Sequence, residues 1–98
     1  MLRHVVLFRW KSEVPEGHAA NVAAALRALP SRGIPFTSYT CGTDLGMAGP
    51  NGWDFAIVGE FADEEAWRTY MDDSEHDRIR QDLIVPWVAE RAMVQFEA

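Results

Sequence analysis

Residues 2–11, LRHVVLFRWK, set the frame for everything else in the chain. Alternation puts Leu2, His4, Val6, Phe8 and Trp10 on one face and Arg3, Val5, Leu7, Arg9 and Lys11 on the other. Both faces are apolar in the middle, which is the pattern of a central strand covered on two sides. Residues 53–61, WDFAIVGEF, repeat it, with Trp53, Phe55, Ile57 and Phe61 on one face and Ala56 and Val58 on the other.

Between and beyond these strands the signals change. The Pro15-Glu16-Gly17 turn leads into a helix reaching about residue 29, with Ala19, Val22, Leu26 and Leu29 as its core-facing stripe. Pro30, Gly33 and Pro35 end it. Residues 36–43 (FTSYTCGT) are thinner in apolar content and read as an edge strand, and 44–52 as a glycine-rich loop. Asp63 is a good N-cap for a helix striped by Trp67, Tyr70 and Met71, with Glu64 and Glu65 at its positive end. The run Asp72-Asp73-Ser74 interrupts that helix. Ser74 with Asp77 makes a capping-box-like restart that would carry a second short helix to about residue 83. A last strand is expected over 91–97 (RAMVQFE).

The order βαββαβ predicts one α+β domain over residues 1–98. It is a ferredoxin-like subunit with a four-stranded antiparallel sheet whose first and third strands are central. Two helices cover one face of such a sheet. The other would present Val5, Leu7, Ala56, Val58 and Met93, an apolar patch of the kind that marks an interface. A homodimer pairing sheet to sheet closes it by two-fold symmetry. The competing cover, a loop folded over the face, has only the small polar segment 44–52 to offer.

A net charge of −6, from 15 acids against 9 bases, would repel a phosphate backbone, and the arginines read as scattered, so no nucleic-acid partner and no membrane surface is expected. No apolar run has the length of a signal h-region or a span. Cys41 is the single cysteine, which points to a reducing cytoplasmic setting. It has no obvious basic neighbour and reads as inert. Three dispersed histidines make no metal site, and no glycine loop has the phosphate-binding pattern. His18, on an alanine-rich helix start, reads as solvated.

The opening RHVVLFRWK, the middle WDFAIVGEFADEEAWRTYMDDSEH and the close VPWVAERAMVQFE together resemble the dimeric α/β-barrel family of stress-responsive A/B barrel (Dabb) domains. The likeness spans nearly the whole chain. It implies the same subunit and a sheet-to-sheet dimer, but no single activity: members include plant stress-associated proteins and a plant cyclase that folds a linear polyketide by aldol condensation without a cofactor. Against that cyclase, Tyr70 and His76 match its catalytic tyrosine and histidine. His4 matches a strand histidine lining its pocket, and Trp87 a pocket tryptophan. Phe55 stands where the cyclase has a second strand histidine, and its helix tyrosine has no counterpart in residues 16–29.

Cofactor-free enolisation needs a base near a carbon acid and a donor at the carbonyl oxygen. Histidine and tyrosine supply these near neutral pH. His76 as base and Tyr70 as donor are therefore the candidate catalytic pair. His4, Val6, Phe8, Phe55, Ile57, Trp67 and Trp87 are the candidate walls of a site for a small hydrophobic or aromatic ligand, with Gly59 leaving space. At the start of the restarted helix the dipole opposes an imidazolium, while Asp72, Asp73, Glu75 and Asp77 favour one. The same aromatic set also fits an ordinary core, and His76 also fits an exposed turn histidine. Two functions stay open: a cofactor-free cyclase or isomerase, and a non-catalytic ligand-binding or stress-associated dimer. A cofactor-free oxygenase follows only by fold analogy.

Overall fold

The computed structural model describes residues 1–98. The strands are β1 (Leu2–Trp10), β2 (Ser38–Thr43), β3 (Phe55–Phe61) and β4 (Val88–Glu97). They form one antiparallel sheet in the order β2-β3-β1-β4, so β1 and β3 are central as their two-sided apolar pattern requires. The helices are α1 (His18–Arg27), α2 (Glu64–Met71) and α3 (Ser74–Ile79), and all lie on one side. α3 runs on into a π turn, Arg80–Ile84, and a 3-10 turn, Val85–Trp87, before β4 begins.

Period-2 burial along β1 and β3 sends His4, Val6, Phe8, Phe55, Ile57 and Phe61 under the helices, where Val22, Leu26, Leu29, Tyr70, Ile79 and Ile84 meet them. α2 begins where Asp63 accepts a hydrogen bond from the Ala66 amide at 2.9 Å. The restart differs from expectation: Asp73, not Ser74, is the N-cap of α3, accepting from the His76 amide at 3.0 Å. The same carboxylate takes an ion pair from Arg32 at 3.0 Å, so it is anchored from outside the helix as well.

Two further expectations change. Met93 pairs with Val6 and so lies on the helix side of the sheet, not the open side. β4 has apolar side chains on both parities, and only its register with β1 decides which set turns inward. The open face instead carries Ala92, Val94 and Phe96 beside Val5, Leu7, Ala56 and Val58. Its apolar centre is bounded by the Arg3–Glu60 and Arg9–Glu90 ion pairs.

His18, expected in solvent, is 7% exposed. Its Nε2 meets the Leu83 carbonyl oxygen at 2.6 Å, and its ring packs between Trp10 and Trp87. His18 precedes Val22 by four residues and Leu26 by eight, so it belongs to the buried stripe of α1.

Candidate functional site

A cavity of about 210 Å³ lies between the helix side of the sheet and the α3 extension. It exists because the helical layer stops short of the edge strand. β4 packs only on β1, and its helix-side residues Met93 and Gln95 remain exposed. From the sheet, His4, Val6, Phe8 and Ile57 line it, with Arg91 and Met93 at the rim. From the helices come Tyr70, Met71, His76, Arg80, Ile84 and Val85. Arg80 and Ile84 are the first and last residues of the π turn, a distortion that recurs at functional sites, and Val85 opens the 3-10 turn after it.

Tyr70 is fully buried, reached from β2 by Tyr39, whose hydroxyl lies 2.9 Å from its own. Burial raises its proton affinity, with a pKa pushed up to about 12, so it stays a neutral donor. The Tyr39 hydroxyl is raised further, by burial and by its Tyr70 neighbour. Tyr70 and His76 lie ring on ring, with centroids 4.1 Å apart.

His76 is 5% exposed, and its Nδ1 is buried with no hydrogen-bond partner in the protein. Its pKa is lowered to about 4, first by burial, then by the charge of Arg80 and the nearness of His4, against the opposite pull of Asp73 and Asp77. Burial thus wins over the acidic turn, and the ring is neutral at neutral pH.

His4 is also neutral, lowered to about 4 by burial. Its Nδ1 lies 3.2 Å from the Trp67 indole nitrogen and 2.9 Å from Gln95 Nε2. An indole N–H can only donate, so Nδ1 is the acceptor and the ring proton sits on Nε2. His4 is therefore a fixed donor, and His76 is the ring with a free lone pair.

The expected residues divide. His4, Val6, Phe8, Ile57, Tyr70 and His76 come together at the cavity; Phe55, Trp67 and Trp87 do not line it. Phe55 is packed core, stacked on Phe8 at 6.1 Å and edge-on to Trp10. Trp67 acts one step back by fixing the His4 tautomer, and Trp87 packs on His18 at the far end. Gly59 makes room for the Phe61 and Tyr39 rings, since a Cβ there would lie 3.1 Å from Phe61, and it leaves no space in the cavity itself.

Met71, Arg80, Ile84, Val85, Arg91 and Met93 were not anticipated. Only Met71 carried a signal, its place on the α2 stripe. Cys41 keeps a raised thiol pKa through burial, with Arg27 pulling the other way more weakly while bonding the Cys41 carbonyl at 2.8 Å. No group of three or more His, Cys, Asp or Glu side chains is placed to hold a metal ion. No helix is long and apolar enough to cross a membrane.

Comparison with known proteins finds the fold widely. A dimeric ferredoxin-like protein of unknown function from Thermobifida fusca YX is 34% identical, over 99% of this chain and 90% of that one, with a TM-score of 0.89. A hydroxynitrile lyase from Passiflora edulis is 18% identical, over 97% of this chain and 90% of its own, with a TM-score of 0.81. An antibiotic biosynthesis monooxygenase is 22% identical, over 100% and 98% of the two chains, with a TM-score of 0.73. At those two lower identities the likeness is one of fold alone. No curated protein matches the chain. The family model for the stress-responsive A/B barrel (Dabb) domain matches residues 2–98, and the chain belongs to that family.

Proposed function

We propose that this protein is a dimeric, cofactor-free enzyme of the cyclase or isomerase kind, acting on a polyketide-like or aromatic small molecule with His76 as base and Tyr70 as donor. The observation that carries the reading is a partly apolar cavity walled by two neutral buried histidines and a protonated tyrosine, with the His76 Nδ1 unpartnered. Groups whose proton affinities are displaced by burial within one cleft are the usual signature of acid–base chemistry. In this scheme Tyr39 donates to the Tyr70 oxygen and leaves the Tyr70 proton for a substrate carbonyl. His76 then takes the proton from the adjacent carbon, and His4 offers its Nε2–H to the developing oxyanion.

The relative from Thermobifida fusca is dimeric, and a dimer of this chain would use the open apolar face of the sheet. Val94 and Phe96 are 53% and 44% exposed there, between ion pairs that would frame the contact. Val94→Asp should give a monomer by size-exclusion chromatography with light scattering; a dimer that survives the substitution places the interface elsewhere. The unpaired Cys41 thiol suits a reducing cytoplasm.

The test is a melting and turnover screen with linear β-polyketide thioesters and aryl ketones on wild type, His76→Ala and Tyr70→Phe. A ligand at a hundredfold excess over its Kd stabilises by about 2.7 kcal/mol, a visible shift. Loss of product with both variants still folded supports the enzyme. Binding without turnover in wild type turns the reading to a non-catalytic ligand-binding dimer, and no shift across the panel removes the site.

A further inference from the structure

The arginines divide by their partners. Arg3, Arg9, Arg32, Arg68 and Arg78 each bond a carboxylate at 2.7–3.1 Å, and Arg27 bonds a carbonyl oxygen. Arg80 and Arg91 do neither: Arg80 comes only within 3.7 Å of Asp77, and Arg91 makes no ion pair. In a chain with 15 acids and 9 bases, carboxylates are in excess, so two under-partnered guanidinium groups are not a matter of supply. Both line the same cavity.

They reach it from opposite walls. Arg80 stands at the start of the π turn, and Arg91 on the helix side of β4, opposite Phe8. Because Arg91 faces the helix side, a dimer through the open face leaves it unobstructed. Deeper in lie the buried Val6 and Ile57, with Met93 beside Arg91 at the rim. The cavity therefore has an apolar body and a cationic rim, with the acid–base residues between.

We propose that the cavity takes a substrate with an apolar body and one carboxylate, which Arg80 and Arg91 clamp at the rim. This rests on the small-molecule reading of the cavity and adds the chemical class of the ligand. A guanidinium matches a carboxylate with two parallel hydrogen bonds, and pairs of this kind are stronger than neutral ones.

The clamp also acts on the base. The charge of Arg80 holds the proton affinity of His76 down, as burial does. A base so weak is poorly matched to reaction near neutral pH. A bound carboxylate offsets the Arg80 charge and returns part of that affinity, so the head group of the substrate switches on the histidine beside it. Arg80 and Arg91 are thus binding residues for substrate, and Arg80 is also a tuning residue for His76. Facing His76 in addition are His4 from β1, Tyr70 from α2 and the carboxylates Asp73 and Asp77 of its own turn.

The experiment is calorimetric titration of wild type, Arg80→Gln, Arg91→Gln and the double variant with octanoate, benzoate and their neutral amides. Melting of each unliganded variant checks that the fold survives. The expected result is tighter binding of a carboxylate than of its amide to wild type, by about tenfold or more, as for hydrogen bonds to charged groups. That preference should shrink in each single variant and vanish in the double one. In parallel, the His76 imidazole followed by NMR should titrate at higher pH with the carboxylate bound, and this rise should be lost in Arg80→Gln. Equal binding of acid and amide to wild type overturns the clamp while leaving the small-molecule cavity standing. Undiminished carboxylate preference in the double variant also overturns it. Binding of none of the four compounds overturns both readings.

Discussion

The two ends of the helical layer use the same materials differently. At one end His18, Trp10, Phe55 and Trp87 interlock, and the histidine meets the Leu83 carbonyl at 2.6 Å. At the other, His76, Tyr70 and His4 also pack ring against ring, yet His76 keeps a buried nitrogen without a partner and a cavity opens beside it. Both clusters pair histidine with aromatics, and both histidines are nearly inaccessible. The two histidines differ in satisfaction: His18 is hydrogen-bonded and enclosed, whereas His76 keeps an unpartnered nitrogen beside an open cavity, at a cost to stability, although Trp10 Nε1 at the packed end is also buried without a partner.

The sharpest way to break that comparison is to excavate the packed end. Phe55→Ala should cost about 3–5 kcal/mol, the range for a buried phenylalanine, measured by urea denaturation. Ile84→Ala, on the wall of the existing cavity, should cost less than the packed-core range because part of its surroundings is already open. Equal losses at both positions would mean that the two ends are packed alike.

Acid should weaken the cavity end next. His4 and His76 have folded pKa values of about 4, below the ordinary value near 6.5 that the unfolded chain shows. The unfolded chain therefore binds protons first, and stability should fall as pH drops from about 6.5 to about 4, by up to ~1.4 kcal/mol per pH unit for each histidine. Below that window the lowered carboxyls of Glu60, Asp73 and Glu75 add their own loss. His76→Leu should flatten the curve between pH 6.5 and 4, and an unchanged slope would show that His76 is already solvated.

The smallest effect is the most discriminating. His18→Leu should cost about 1–3 kcal/mol, because the Leu83 carbonyl loses its buried partner. His76→Leu at pH 7 should be near neutral or stabilising, since it replaces an unpartnered polar edge by an apolar one. Losses of similar size in thermal melts would erase the distinction between the two histidines.

Much of this was legible in the residues. The alternation of residues 2–11 and 53–61 was enough to identify the central strands, and Asp63 marked the start of α2. Tyr70 and His76 were named from a resemblance, and Met71 lay on a visible stripe. The arginines at the rim were not, because their meaning depends on what they fail to meet. The parity of β4 was misread for a related reason. Ala92, Val94 and Phe96 form the apolar alternation, which ordinarily points to a core, yet register with β1 turns them to the open face.

The sequence alone determined the elements, their order and the faces of the two central strands within their paired residues, because those follow from short-range periodicity and from capping groups a few residues away. Trp53, expected on the core face, instead precedes β3 and lies under the Arg9 guanidinium at 4.0 Å. The tertiary structure decided which histidine is satisfied, which parity of the edge strand faces inward, and which cations go without a partner. Each of those depends on the placement of residues from different elements, such as His18 against Leu83, Met93 beside Val6, and Arg80 and Arg91 on the walls of one cavity. Local pattern cannot encode a hydrogen bond that is absent. Only the packed arrangement shows where the protein has left its polar groups unpaired.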